Sequence, residues 1–307
     1  MKLRNQEQKT VMFGENESAI FRRLTEPGSP KVITLTDALA FVNRPISHNS
    51  LAHTLSFLTW KGVLERVGKG VYLNKSTDTM PNITEVIPWV FRNLPYYVGL
   101  NAAANRWGLT PQIPNSYQVI YAQNNEATSR RISRWSNMLE NIGNLGGTIR
   151  PIKCKAPSGL EIGTTQTLLD GSQVLLSTVE RTILDSVIYT EEIGGAGEAL
   201  SWTRVAFASN TIALDEFSRL LDLIGKQINS ATVRMGFLLD TLTDENLVDE
   251  EQAKRIRNLS NAIKERSLSD SVYMWGNEFD KTEYSDKWQL RVSKDYLKQL
   301  NSVTTFE

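Results

Sequence analysis

Four small polar side chains, Asn49, Ser50, His53 and Ser56, lie opposite a stripe of Leu51, Leu55 and Leu58 at i, i+4 and i+7. Side chains of this kind can hydrogen-bond base edges without bulk. A helix carrying them in its N-terminal half can enter a major groove. Ser47 is placed to cap that helix, and the amides behind such a cap suit a phosphate. Arg66 and Lys69 follow the segment, and Lys31 and Arg44 precede it. Those four cations are suited to phosphate contacts, which position a protein on DNA without reading its sequence. A solvated helix face or a protein-binding surface would use similar residues. Charge distribution favours double-stranded DNA, since residues 1–80 hold 11 Lys and Arg against 7 Asp and Glu, and residues 81–307 hold 23 against 27.

Phe57 and Trp60 fall outside the leucine stripe and are expected to pack against the second domain or a hairpin rather than stack on a base. Neither His48 nor His53 has a second Cys or His at ligand spacing, so no metal is expected. Catalytic patterns are missing. Gly225-Lys226 has Leu220 where a phosphate loop needs its first glycine, and Gly195-Ala196-Gly197 meets Leu200 where a dinucleotide fingerprint needs a small residue. The one E-x-K, Glu7 to Lys9, lies in a polar tail. Asp249-Glu250-Glu251 reads as a solvated helix face, and Cys154 as a buried small side chain rather than a nucleophile. Neither an active site nor a cofactor is expected.

The elements that must position the polar stripe can be read from caps and breakers. Residues 16–26 read as a helix capped by Asn16 or Ser18 and ended by Pro27-Gly28-Ser29-Pro30. Thr34 to Val42 makes a second helix, stopped by Asn43-Arg44-Pro45. The striped third helix runs from Ser47 to about Lys61, where Gly62 closes it. Val63–Val67 and Val71–Leu73 then read as strands of a hairpin turning at Gly68-Lys69-Gly70. Three short helices and a hairpin is the order of a winged helix-turn-helix, assigned to residues 1–80.

A polar stretch from Asn74 to Asn82 reads as a linker to a larger mixed α/β domain over 86–307, giving an α+β protein overall. Tyr96 through Trp107 reads as a helix with a small face at Ala102, Ala103 and Ala104. Tyr117–Tyr121 is expected to be a strand, and Thr148–Cys154 another, interrupted by Pro151. Leu160–Ile162, Thr165–Leu169 and Val174–Leu176 suggest further strands or turns. Ser177-Thr178-Val179-Glu180 has the capping-box spacing, with Ser177 as cap, and Arg181 with Asp185 reads as a surface ion pair. Helices are expected over 196–207, 212–224, 230–242 and 249–266, then a strand over Lys287–Val292.

With 307 residues, 40% hydrophobic and with 34 Lys and Arg against 34 Asp and Glu, the chain can bury a core without disulfides or metals. No apolar run approaches the ~20 residues of a membrane span. Met1 to Lys9 has no signal-like apolar core, so a cytoplasmic location and no membrane partner are expected.

Taken together, the N-terminal module, the run Tyr96 through Thr110, and Ser177-Thr178-Val179-Glu180-Arg181-Thr182-Ile183-Leu184-Asp185 resemble the AbiEi-type antitoxins of type IV toxin–antitoxin systems. Thr232 through Leu239 and Trp288-Gln289-Leu290 are similar to that family as well. The resemblance implies an antitoxin and transcriptional autorepressor, active in phage defence. Its winged helix would bind inverted repeats in its own promoter, and its second domain would counteract a neighbouring nucleotidyltransferase-like toxin. Ser177, Glu180, Arg181 and Asp185 match the family's helix motif and are read as structural. Two other functions fit the residues: a regulator whose second domain senses a ligand without a toxin, and a DNA-targeted enzyme with an unfamiliar site. A neighbouring nucleotidyltransferase gene separates the first from an antitoxin; acidic and basic groups converging in a pocket of the second domain would favour the other.

Overall fold

Ile20 and Leu24, one turn apart and both buried, commit Glu15–Thr25 to helix α1. The computed structural model describes residues 13–42, 44–68, 70–77, 81–92, 94–122, 126–140, 145–244, 247–267, 272–277 and 281–304. Glu7, Lys9, Asn43 and Lys69 lie outside them. The chain divides into unit 1, Met1–Val90 with Arg131–Thr148, and unit 2, Phe91–Arg130 with Ile149–Glu307.

In unit 1 the α1 cap is neither Asn16 nor Ser18. The Glu17 carboxylate reaches back to accept from the Gly14 amide at 3.0 Å, so the helix opens one residue earlier than its polar residues suggest. Strand β1, Val32–Thr34, precedes helix α2, Leu35–Phe41. Thr34 therefore caps α2 rather than starting it. Its hydroxyl accepts from the Asp37 amide at 3.2 Å, and Asp37 accepts from the Thr34 amide at 2.8 Å. Helix α3, His48–Trp60, follows and ends before Gly62 at φ 77. Strands β2, Leu64–Gly68, and β3, Val71–Asn74, pair antiparallel, and β1 adds to the far side of β3. Ile20, Leu24, Ile33, Leu51, Leu55, Leu58 and Leu64 form the shared core.

Asn74 does not begin a linker. It is fully buried and its amide donates to the Leu24 carbonyl at 2.9 Å, closing β3 onto the end of α1. Helix α4, Ile83–Val90, completes the contiguous part of unit 1.

Unit 2 is built on a five-stranded sheet. Tyr96 to Trp107 is not one helix. Strand β4 spans Tyr96–Gly99, Leu100 turns the chain at φ 55, and helix α5 occupies only Asn101–Arg106. Tyr-Tyr-Val favours a strand, and β4 is central in the sheet, where its Tyr97 and Val98 are buried. Next come β5, Ser116–Tyr121, helix α6, Glu126–Glu140, and β6, Thr148–Lys153. Pro151 does not interrupt β6, because that strand is an edge and one missing amide costs no ladder bond there. Leu160–Ile162 is turn, and β7, Thr164–Leu169, pairs antiparallel with β8, Ser172–Ser177. The sheet order is β6-β5-β4-β8-β7, with β4 and β8 parallel through Val98 and Leu176.

Helix α7, Val179–Ile188, is capped by Thr178, whose side chain accepts from the Arg181 amide at 3.3 Å. Ser177 still belongs to β8, so the capping-box assignment is one residue early. The Glu180 carboxylate accepts from the Ala213 amide at 2.8 Å instead of closing a box. Helices α8, Ala196–Ala208, α9, Leu214–Gly225, α10, Asn229–Asp244, and α11, Glu250–Ser267, follow the apolar periodicity closely. Strands β9, Tyr273–Trp275, β10, Thr282–Ser285, and β11, Leu290–Ser293, form a small sheet before helix α12, Lys294–Thr304. Lys287 to Gln289 is turn rather than strand. Trp288 is buried there over Gly236, where any β-carbon would overlap the indole.

The later part of α6 returns to unit 1. Trp135 lies against Gly68 at the end of β2 so closely that a β-carbon on Gly68 would overlap its ring. The chain is thus a mixed α+β protein, and among its described residues no helix is long and apolar enough to cross a membrane.

Candidate nucleic-acid interface

Helix α3 owes its orientation to its buried side. Leu51, Thr54, Leu55 and Leu58 are all buried in unit 1. That fixes Asn49, Ser50, His53 and Ser56 on the outside, and all four are exposed. Asn49, His53 and Ser56 follow one another at i, i+4 and i+7 along a single stripe. Among the described residues, Asn49 and His53 have no side-chain partner, so their amide and imidazole groups remain available. Ser56 donates to the Ala52 carbonyl at 2.8 Å and keeps only its acceptor capacity. Ser47 caps the helix, accepting from the Ser50 amide at 3.2 Å.

The cations behave differently from one another. Arg66 is exposed on β2 and its Nε donates to the Gly68 carbonyl at 3.2 Å, with no ion pair among the described residues. Its charge tempers the burial that pushes the Tyr72 phenol above its usual range. Lys31 pairs with Glu85 of α4 at 3.0 Å. Arg44 is held by two residues of α1, its NH1 donating to Glu15 at 2.6 Å and its Nε to Asn16 at 2.8 Å. Lys31 and Arg44 therefore serve first as struts within unit 1. Lys69 lies outside the described residues.

Phe57 and Trp60 are both exposed. Trp60 is 79% exposed, and its ring lies 5.4 Å from that of Phe57, extending the polar stripe with an aromatic end. A ring that covers the hairpin belongs to Trp135. Its helix also brings exposed Arg131 and Arg134 into unit 1, two cations the linear reading of residues 1–80 could not include. Their i, i+3 spacing, flanking buried Ile132 and Trp135, was the available signal.

What α3 can do chemically is donate and accept hydrogen bonds across a convex face. Among the described residues, no group of three or more His, Cys, Asp or Glu could hold a metal. Cys154 is buried, and burial pushes its thiol up. One meeting of acidic and basic groups in unit 2 lies inside the core. Arg181 is 1% exposed and Asp185 fully buried, so the pair is not at the surface. Arg181 Nε donates to Asp185 at 2.9 Å, the Tyr97 hydroxyl donates to the same carboxylate at 2.7 Å, and Arg181 NH1 donates to the Gly159 carbonyl at 2.7 Å. Burial pushes the Asp185 carboxyl up against the pull of Arg181 and Tyr97. Burial also opposes the Arg181 charge, yet Asp185 and Tyr97 hold it above its usual value. The paired cluster is closed to a substrate.

No family model matches the chain, and no curated protein does. Its fold is similar to a solved one. The crystal structure of RV2827C protein from Mycobacterium tuberculosis superposes with a TM-score of 0.62, covering 95% of this chain and 96% of that one. At 12% identity the likeness is one of fold. It spans nearly all of both chains, so the two share an order of elements and not merely one module.

Proposed function

We propose that this chain is a DNA-binding antitoxin and transcriptional autorepressor, with α3 as the helix that reads the major groove. The observation that carries the DNA reading is the α3 stripe, with two unpartnered polar side chains, Asn49 and His53, on a helix anchored by its leucines. The order α1-β1-α2-α3-β2-β3 supports a winged helix-turn-helix, with the β2–β3 hairpin as its wing. Arg66, Arg131 and Arg134 are the cations best placed to meet phosphates, since each is exposed and Lys31 and Arg44 are already engaged.

The antitoxin part of the proposal rests on the resemblance of the residues around Tyr97, Arg181, Gly236 and Trp288 to the AbiEi-type antitoxins. In the folded chain these segments meet in pairs, Tyr97 on Arg181 and Asp185, and Trp288 on Gly236. Under this reading unit 2 counteracts a nucleotidyltransferase-like toxin encoded beside it, and unit 1 binds inverted repeats in the shared promoter.

Two assays on the full-length protein test the reading. Titration against a duplex from its own upstream region and a random duplex, at rising salt, should give tighter binding to the former and a falling log K with log salt for both. Salt-independent binding, or none, sinks the DNA reading. Growth rescue is then measured with the neighbouring reading frame expressed from a promoter the protein cannot repress. Rescue is expected from the wild type and from the doubly substituted Asn49→Ala/His53→Ala protein. Failure of both removes the antitoxin reading and leaves a regulator.

A further inference from the structure

Unit 2 contains a polar cavity of about 220 Å³ whose lining includes Lys155, Tyr189, Arg234, Trp275 and Tyr296. Its walls are fixed by hydrogen bonds that do not involve a ligand. The Trp275 indole donates to Thr190 Oγ1 at 3.0 Å, and the Tyr189 hydroxyl accepts from the Lys155 amide at 3.0 Å. The Trp275 and Tyr296 rings meet edge to face at 5.7 Å. A cavity of this size with aromatic sides and a few convergent polar groups is suited to a small metabolite rather than a large ligand.

Three cations line it, Lys153, Lys155 and Arg234, and the last two make hydrogen bonds to backbone carbonyls. Arg234 of α10 donates through NH1 to the Val187 carbonyl at 3.1 Å and through NH2 to the Met274 carbonyl at 2.7 Å. As a strut between α7 and β9 it needs only those two nitrogens. Its Nε is also buried, and it finds no acceptor among the described residues. Lys155 stands at the exposed mouth, its Nζ donating once to the Ile188 carbonyl at 3.0 Å, which leaves two N–H groups. Neither cation forms an ion pair with a carboxylate among the described residues. Glu192 pairs with Arg150 at 2.7 Å and still raises Lys155, and exposed Glu191 raises both cations without contact. Burial lowers both Lys155 and Arg234 from their usual values, and the Arg234 charge lowers Lys155 further. Two like charges kept close together, one of them an ammonium with two N–H groups to spare, are the arrangement an anion relieves.

We propose that this cavity binds the oxyanion of a small phosphorylated or carboxylated metabolite, held by the two remaining N–H groups of Lys155 Nζ, beside the Arg234 charge and against the aromatic walls. The site lies wholly within unit 2, and its occupancy does not depend on DNA binding by α3.

Isothermal titration calorimetry on the full-length protein tests this with inorganic phosphate and acetate as separate probes in chloride buffer of fixed ionic strength. At least one probe should bind saturably with one site per chain, and the tighter of the two names the source of the oxyanion. Lys155→Met should weaken that binding tenfold or more, as should Arg234→Gln, while the exposed Lys254→Met on α11 leaves it unchanged. Arg234→Gln also removes the strut between α7 and β9, so Lys155→Met decides the matter if that variant does not fold. Absence of saturable binding by either probe at millimolar concentration overturns the proposal. So does binding that Lys155→Met leaves unchanged.

Discussion

Helices α3 and α7 each carry a pair of polar side chains at i, i+4, Asn49 with His53 and Arg181 with Asp185, yet one pair is exposed and the other sealed. The spacing is the same and the environment opposite. On α3 the leucines turn one side inward and leave the polar side uncovered. On α7 every residue from Glu180 to Ile188 is buried, because other segments of unit 2 close over the polar side as well. Tyr97 and the Gly159 carbonyl complete the Arg181–Asp185 pair from elsewhere in the chain. Periodicity therefore shows which side chains share a face, and only the remainder of the fold decides whether that face meets water.

The contrast is most easily broken at Asp185. Asp185→Ala leaves the Arg181 cation buried without its partner, which should cost about 3–5 kcal/mol of stability in urea unfolding. Replacing both, Arg181→Met with Asp185→Leu, should cost less than the single change, because no charge is then stranded. A loss under ~1 kcal/mol for Asp185→Ala would put the pair in a solvated setting such as an exposed ion pair occupies. The next largest effect is expected where a ring lies against a glycine. Gly68→Val pushes Trp135 away from the end of β2 and should cost about 1–3 kcal/mol by overpacking. Thermal unfolding followed by tryptophan fluorescence would register it, and a neutral result would mean that Trp135 does not cover the hairpin.

These two sites also mark the limit of what the amino-acid order discloses. The leucine stripe of α3, the cap at Ser47, and the period of α8 to α11 are local, and they were legible. Strand β1 was missed because three residues carry no period of their own. It exists by pairing with β3 some forty positions later. The alanines after Tyr96–Gly99 dominate the local pattern and favour a helix there, whereas a central place in the sheet selects the strand. The same holds for the candidate interface. Its helix face could be read directly, but the engagement of Lys31 by Glu85 and of Arg44 by Glu15 depends on how α1 and α4 pack. Arg131 and Arg134 join unit 1 only because the chain returns there through α6.

On the exposed side of the comparison, substitutions should change recognition while sparing the fold. Asn49→Ala and His53→Ala remove groups without partners among the described residues, so each should shift stability by no more than about 0.5 kcal/mol. Each that reads a base should lower discrimination between the upstream duplex and random DNA by about 1–3 kcal/mol. Equal losses on both duplexes would assign the side chain to the backbone instead.

The smallest effect separates cations that are free from cations that are occupied. Arg66 is exposed and gives up only a hydrogen bond to its own strand, so its charge is available to a phosphate. Arg66→Ala should weaken binding to every duplex alike and flatten the slope of log K against log salt by about 0.9, the release of one phosphate's counterion. Arg44 would first have to leave Glu15 and Asn16, and Lys31 would have to leave Glu85. Their alanine variants should flatten the slope by distinctly less, and because each loses a strut, some of their effect should appear in thermal stability instead. Anisotropy titrations of the three variants on one random duplex make the comparison directly. If Arg44→Ala or Lys31→Ala changes the slope as much as Arg66→Ala does, those ion pairs open on DNA, and the phosphate-contacting surface of unit 1 extends across all three.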